Sequence, residues 1–319
     1  MGTRQGGPLV SVDPLTGPPG VPAPAAGDLH RAAARPMPAV PRVHEVSGRL
    51  TDDLRGLRVV WKRELIRFTR DRLRIITSLI QPVLFLFILG TGLSTFTSSA
   101  TSSVNFKTFM FPGIIAMTVL FTAIFSAISI VWDREFGFLR EMLVSPVRRW
   151  ALVVGKCLGG MTVATIQGAI FLLLAGAVGV PYAPLMLLTL IGEMALTAFT
   201  LTAFGILLAA RMTQVQSFQV VVQFFVMPMF FLSGAVFPLS KLPSWLAILT
   251  KIDPLTYAVD PMRRAVFAHI NVSPHAIRVL SPGVTWNGWM LPTGVEIAMV
   301  AVMALVLLLG AIVNFSRTD

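Results

Sequence analysis

After a first stretch without hydrophobic periodicity, the chain settles from residue 51 into long apolar runs separated by short polar breaks. The first ordered pattern is different in kind. Leu54, Leu57, Trp61, Leu65 and Phe68 recur at steps of three and four, while Arg55, Arg58, Lys62, Arg63, Arg67 and Arg70 occupy the other faces. This predicts an amphipathic helix over 52–72 with Thr51 or Asp52 at its N-cap. A basic face with a Trp suits a helix lying in the headgroup region of a membrane; a surface helix packed on a partner protein has the same pattern. Six apolar runs follow, at about 75–93, 109–131, 151–178, 185–210, 215–237 and 292–315. Each is close to the ~20 residues that cross a hydrocarbon core.

The connections alternate in charge. Residues 94–108 carry only Lys107, 132–150 carry Arg134, Arg140, Arg148 and Arg149, 179–184 carry no Lys or Arg, and 211–214 carry Arg211. Because cytoplasmic loops are enriched in Lys and Arg, both termini are expected in the cytoplasm. The fifth connection, about 238–291, then falls outside; its five Lys and Arg residues weigh little in a long loop. Within it the stretch LPSWLAILTKIDPLTYAVDPMRR is apolar, too short to span twice, and interrupted by Pro243, Pro254 and Pro261. That pattern predicts a re-entrant or interfacial segment, viable where protein covers its backbone. Trp286 and Trp289 fit an aromatic belt at the outer surface. The predicted fold class is an all-α membrane protein with six transmembrane helices, an N-terminal amphipathic interfacial helix and a re-entrant outer segment before the last span.

Composition agrees with that reading. The 319 residues are 55% hydrophobic and 13% charged, with mean hydropathy +0.75, whereas soluble domains carry about 25% charged residues. The net charge of +11 would suggest nucleic acid in a soluble protein, but here the basic residues flank apolar runs and point to the membrane surface. Residues 1–50 are rich in Pro, Ala and Gly and hold no long apolar core, as in a disordered cytoplasmic tail. Cys157 is the sole cysteine and the four histidines show no ligand spacing, so neither a disulfide framework nor a metal site is expected.

Catalytic signatures are missing as well. Gly155-Lys156-Cys157 lacks the upstream glycine and following Ser or Thr of a phosphate loop. Leu232-Ser233-Gly234-Ala235 has the look of an ATPase signature but lies at the end of an apolar run, out of reach of a nucleotide. If ATP is used, another chain binds it.

Polar residues inside the runs are the remaining candidates. Gln216, Gln219 and Gln223 share one helical face and fit a substrate path or a protomer interface; interhelical hydrogen bonding is the other reading. Glu193 lies about nine residues from Pro184, roughly 14 Å into a ~30 Å core. It is either a cation-binding or protonatable group or a protonated, hydrogen-bonded structural acid. Gly155, Gly159, Gly160, Ala164 and Gly168 form a small-residue stripe for close helix packing.

One break is unusual. WDREFGFLREMLVSPVRRW, at 132–150, combines charges of both signs, aromatics and a Ser-Pro stop between two apolar runs. Together with WALVVGK after it and FFLSGAVFPLSKLPSWLAILTKIDPLTYAVDPMRR about eighty residues later, it resembles the permease subunits of ABC-2-type exporters, especially the daunorubicin-resistance-like branch. The resemblance covers about 55–315 and leaves out the tail. It implies that 132–150 docks as a short coupling helix on a separate nucleotide-binding subunit, with Asp133, Arg134, Glu135, Phe138, Leu139, Glu141, Met142, Leu143 and Pro146 as contacts. Residue chemistry agrees: Phe138, Met142 and Leu143 can form an apolar knob, and the charges can set register.

What the resemblance implies is a multi-pass permease of the bacterial plasma membrane, with no cofactor of its own. ATP and Mg would be bound by two copies of an ABC ATPase subunit, and a second permease copy or homologue completes the assembly. The expected cargo is a hydrophobic or amphipathic antibiotic, drug or lipid-like metabolite, moved outward. A lipid-linked polysaccharide or lipid exporter has the same topology, and a non-transporting anchor or sensor that recruits a cytosolic partner is the alternative from another class.

Overall fold

The computed structural model of the chain describes residues 50–97, 106–137, 148–239, 243–270, 280–281, 283–286 and 289–318. The Pro-rich stretch 1–49 and the loop residues Phe138, Leu139, Glu141, Met142, Leu143 and Pro146 lie outside the described residues.

Helix α1 (Leu50–Arg70) is separated from α2 (Arg72–Thr97) at Asp71. The Asp71 carboxylate accepts the backbone N–H of Arg74 at 3.1 Å, the bond of an N-capping residue to the third helical position. Helices α3 (Phe106–Ser126) and α4 (Ile128–Glu135) form one apolar run with a break at Ala127. Then come α5 (Arg149–Leu172), a 3₁₀ turn (Ala175–Val178), α6 (Pro184–Ala209) and α7 (Val215–Leu232). Two short helices, α8 (Ser244–Ile252) and α9 (Thr256–Phe267), occupy the fifth connection. A two-stranded antiparallel ribbon, β1 (Thr285–Trp286) with β2 (Trp289–Met290), precedes α10 (Thr293–Thr318).

Among the described residues six helices are long and apolar enough to cross a membrane: α2, α3 continued by α4, α5, α6, α7 and α10. This is the six-span helical architecture that the apolar runs predict. The expected third and fifth runs extend past the ends of α5 and α7, because the chain there turns through the 3₁₀ segment and through Ser233-Gly234, apolar neighbours notwithstanding.

Span α3 is the most buried of the six: 78% of its apolar stretch is covered, against 17% for α2 and 22% each for α7 and α10. The last three therefore leave wide apolar faces, such as Ile80, Leu84 and Ile88 on α2 and Val302, Leu305 and Leu309 on α10, for lipid or another protein.

Helix α1 does not stand alone. It runs alongside the first half of α5 in the same direction, since Asp53 meets Arg148 while Trp61 Nε1 donates to Thr162 Oγ1 at 3.1 Å. The approach is close because α5 presents glycine: a Cβ on Gly159 would stand 2.7 Å from Glu64 Cβ. The buried side of α1 thus includes Asp53 and Val60 and packs on protein, while Leu54, one of the apolar positions of the helical pattern, is exposed.

At the other end, α8 and α9 are too short to cross a ~30 Å core. Helix α9 packs its Tyr257, Val259 and Met262 inward against α3, α6 and α10. The turn after α7 seats directly on α3, where a Cβ at Gly113 would clash with the Ala235 backbone. Arg263 holds that turn, donating to Gly234 O at 2.5 Å with its guanidinium 4.3 Å above the Phe109 ring.

Candidate functional site

Three consecutive residues close α4, and a helix turns about 100° per residue, so they reach three different neighbours. Asp133 points inward: Oδ1 accepts from an Arg63 guanidinium nitrogen at 2.8 Å, and Oδ2 from Lys156 Nζ at 2.9 Å. Lys156 also donates to Ser129 Oγ at 2.9 Å and to Glu64 Oε1 at 3.3 Å. The side chains of Lys156, Asp133 and Glu64 are only 8%, 4% and 11% exposed, so this is an enclosed ion cluster joining α1, α4 and α5. Arg134 donates to the carbonyls of Ala210 and Met212 at 2.8 and 3.0 Å, filling acceptors that the end of α6 leaves open. Glu135 Oε2 accepts the Val215 backbone N–H at 2.8 Å, and so caps the start of α7, whose own Gln214 makes no side-chain cap.

The returning end of the same connection is also tied down. Arg148 N donates to the buried Asp53 Oδ1 at 3.1 Å; Arg148 Nε stands 3.5 Å from Oδ2, within ion-pair range but without hydrogen-bond geometry. Arg149 donates to Ser316 O at 2.8 Å near the end of α10. Between them, the two roots of the 138–147 loop grip α1, α5, α6, α7 and α10.

The structure separates the other expected site residues. All three glutamines of α7 are exposed, and of the three only Gln219 lines a cavity of about 430 Å³ formed mainly by α1 to α5. The cavity carries a satisfied polar seam: Thr122 Oγ1 donates to Gln167 Oε1 at 3.1 Å, and Gln167 Nε2 donates to Ser78 Oγ. Glu193 does not line this cavity. It is half-buried on α6 within electrostatic reach of Glu296, and its Oε2 has no hydrogen-bond partner among the described residues.

Near Glu193, Arg264 bridges Asp260 at 2.6 Å and Glu296 at 3.5 Å. The Asp260 contact is an ion pair off hydrogen-bond angle. Outside the spans, burial pushes the Asp253 carboxyl up to about 8, against the pull of the Leu255 N–H and the Thr256 hydroxyl. Burial lowers Arg263 to about 10, opposed by Asp260, so it stays cationic at neutral pH.

Lys156 escapes sequence reasoning in this role, because its partners come from 23 and 92 residues away. The available signal is a lone Lys in an apolar run, which demands a buried acid.

A membrane helix bundle whose polar contacts concentrate at the roots of one loop matches a known family. Residues 55–267 match the family described as ABC-2 type transporter. The chain belongs to the ABC-2 type transporter family. Among relatives of this ABC-2 permease, a protein provisionally named transport permease ycf38 of Cyanophora paradoxa is 29% identical over 214 residues, 66% of this chain and 73% of that protein. The "Probable multidrug ABC transporter permease YbhR" of Escherichia coli (strain K12) is 34% identical over 167 residues, 50% of this chain and 43% of YbhR, so the match spans less than half of that relative. "Nodulation protein J" of Rhizobium leguminosarum bv. trifolii is 28% identical over 221 residues, 68% of this chain and 84% of that protein.

Proposed function

We infer that this ABC-2 permease is the membrane-spanning subunit of an ATP-driven exporter with both termini in the cytoplasm. The 138–147 loop is then its receiver of mechanical work, and ATP with Mg is bound by the partner ATPase. The observation that carries the reading is the clamp of Asp133, Arg134 and Glu135 on three elements at the loop's root. In this reading Phe138, Leu139, Glu141, Met142, Leu143 and Pro146 seat on the ATPase. Asp133 is buried, so it passes displacement inward to α1 and α5. Arg134 and Glu135 pass it to the end of α6 and the start of α7, the two sides of one short connection. A rigid push on the loop therefore reorients several spans together. The name of the relative YbhR as a probable multidrug permease, together with wide apolar faces, supports a hydrophobic or amphipathic small molecule as cargo.

The test begins with tagged protein from native membranes, from which an ABC ATPase is expected to copurify. Glu141→Lys should cut transport and substrate-stimulated ATP hydrolysis at least about tenfold, equivalent to ~1.4 kcal/mol of docking, with unchanged membrane insertion. Full coupling in that variant removes the loop from its role. Unimpaired efflux without the ATPase would instead favour a protein of another class.

A further inference from the structure

The cavity beside the ion cluster has a charged mouth and an apolar chamber, and nothing in the coupling role uses it. Arg67, Asp71 and Arg74 line it at the corner between α1 and α2; Pro82, Met117, Phe121 and Phe125 line it deeper. The charges at the mouth do not cancel. Glu64 is held by Lys156 at 3.3 Å, and Asp71, whose Oδ1 accepts the backbone N–H of Arg74, offsets one of the two arginines and leaves the mouth net positive. Neither Arg67 nor Arg74 makes an ion pair with an acid among the described residues. The Arg67 guanidinium lies 4.5 Å over the Trp132 ring, which orients its planar fork without neutralising it. A shallow groove of Arg63, Ile66, Arg67, Arg70 and Asp71 continues outward from the mouth, extending the basic surface.

Inside, the polar seam of Gln167, Ser78 and Thr122 is bonded to itself, and Pro82, Met117, Phe121 and Phe125 give the chamber an apolar wall, with Gln81 and Gln219 as further polar lining. Its volume of about 430 Å³ falls in the range of sites that enclose a drug-sized or single-chain ligand. Lateral access is at hand, because α2 is the least buried span and exposes Ile80, Leu84 and Ile88 beside the lining residues Gln81 and Pro82.

We propose that this cavity is a binding site for an anionic phospholipid of the leaflet next to α1, its phosphate between Arg67 and Arg74 and part of an acyl chain against Phe121 and Phe125. Basic pockets between spans on the cytoplasmic side select anionic head groups. Only the assignment of that leaflet as the inner one rests on the export reading. Bound there, the lipid braces the corner of α1 and α2 against α3, next to the helix that Glu64 and Arg63 tie to the loop.

The experiment uses the full chain without its ATPase, in nanodiscs of phosphatidylcholine containing phosphatidylglycerol, with retained lipid counted by native mass spectrometry after mild extraction. Wild type should retain phosphatidylglycerol over phosphatidylcholine, and each arginine should account for about fivefold. Arg74→Gln, whose side chain is exposed, should lose about that factor, and Arg67→Gln combined with Arg74→Gln most of the preference. Arg55→Gln with Arg58→Gln, on exposed α1 positions away from the mouth, should keep it. Dodecyl phosphate should compete, and inorganic phosphate at the same concentration should not. Equal retention of the two lipids, equal loss in the Arg55 and Arg58 control, loss only in variants that also remove the Trp132 stack, or equal competition by inorganic phosphate would each overturn the site. Failure of an ATPase to copurify sinks the export reading and leaves this measurement standing.

Discussion

Lys156 is the residue on which the loop end of the molecule is most dependent. It is a buried cation facing two acids, and removing one partner of such a cluster strands the others in a poor dielectric. Lys156→Met should destabilise the protein by about 3–5 kcal/mol, at the lower end because Arg63 still reaches Asp133. The loss should be read as a lower melting temperature in detergent. Adding Asp133→Asn and Glu64→Gln should recover part of it; simple addition of losses would show that the three groups do not act as one cluster. At the opposite end, Asp253 gives a pH dependence. Its carboxyl holds a proton up to about pH 8 in the folded chain, whereas an unfolded Asp releases it near pH ~3.9. The folded state thus binds more protons between those values, and stability from this group falls as pH rises through them. Asp253→Asn keeps an acceptor for the Leu255 N–H and carries no charge. It should flatten the decline in melting temperature between pH 5 and pH 9, and an unchanged slope would assign the pH dependence elsewhere.

The element that matters most is α4, only eight residues long. Its length suffices because successive side chains diverge, so one turn can hold α1 and α5 through Asp133, α6 through Arg134 and α7 through Glu135. Helix α7 depends on this more than α5 and α6, with only 22% of its apolar stretch buried. Glu135→Ala removes the cap on its first turn, a loss of about 0.5–2 kcal/mol. Hydrogen exchange at Val215 to Phe218 should speed up while α5 stays protected. In the export reading the same variant should leave ATPase binding intact and lower substrate-stimulated hydrolysis; weakened ATPase binding would place Glu135 on the docking surface instead.

Considered whole, the molecule is asymmetric about α3, with α5 and α6 packed tightly and α2, α7 and α10 presenting apolar faces outward. On α7 that face also carries Gln216 and Gln223, side chains that lipid does not satisfy. A second permease copy meeting the first along α7 would supply partners. That arrangement predicts disulfide-linked dimers on mild oxidation of Gln216→Cys or Gln223→Cys in native membranes, and none for Leu305→Cys on α10. Cys157 is buried and does not compete. Cross-linking through position 305 alone would move the interface to α10.

Much of this protein is written locally. Water and lipid act on each run of about twenty apolar residues separately, so six spans, the amphipathic α1 and the broken outer segment can be read from hydropathy and proline placement. The glycine stripe of α5 likewise announces close packing, although not with whom. What packs on what is decided by many weak contacts between helices distant in sequence, and no periodicity records them. Lys156 reads as a stray charge until Asp133 and Glu64 are beside it. Asp133, Arg134 and Glu135 read as the start of a docking loop, yet their bonds run to α1, α5, α6 and α7. Gln216, Gln219 and Gln223 share one stripe in sequence, but only Gln219 reaches the cavity, while Glu193 stands apart beside Glu296. That each run can span follows from its own composition; how far each span is buried, and where each polar side chain finds its partners, follows only from its neighbours.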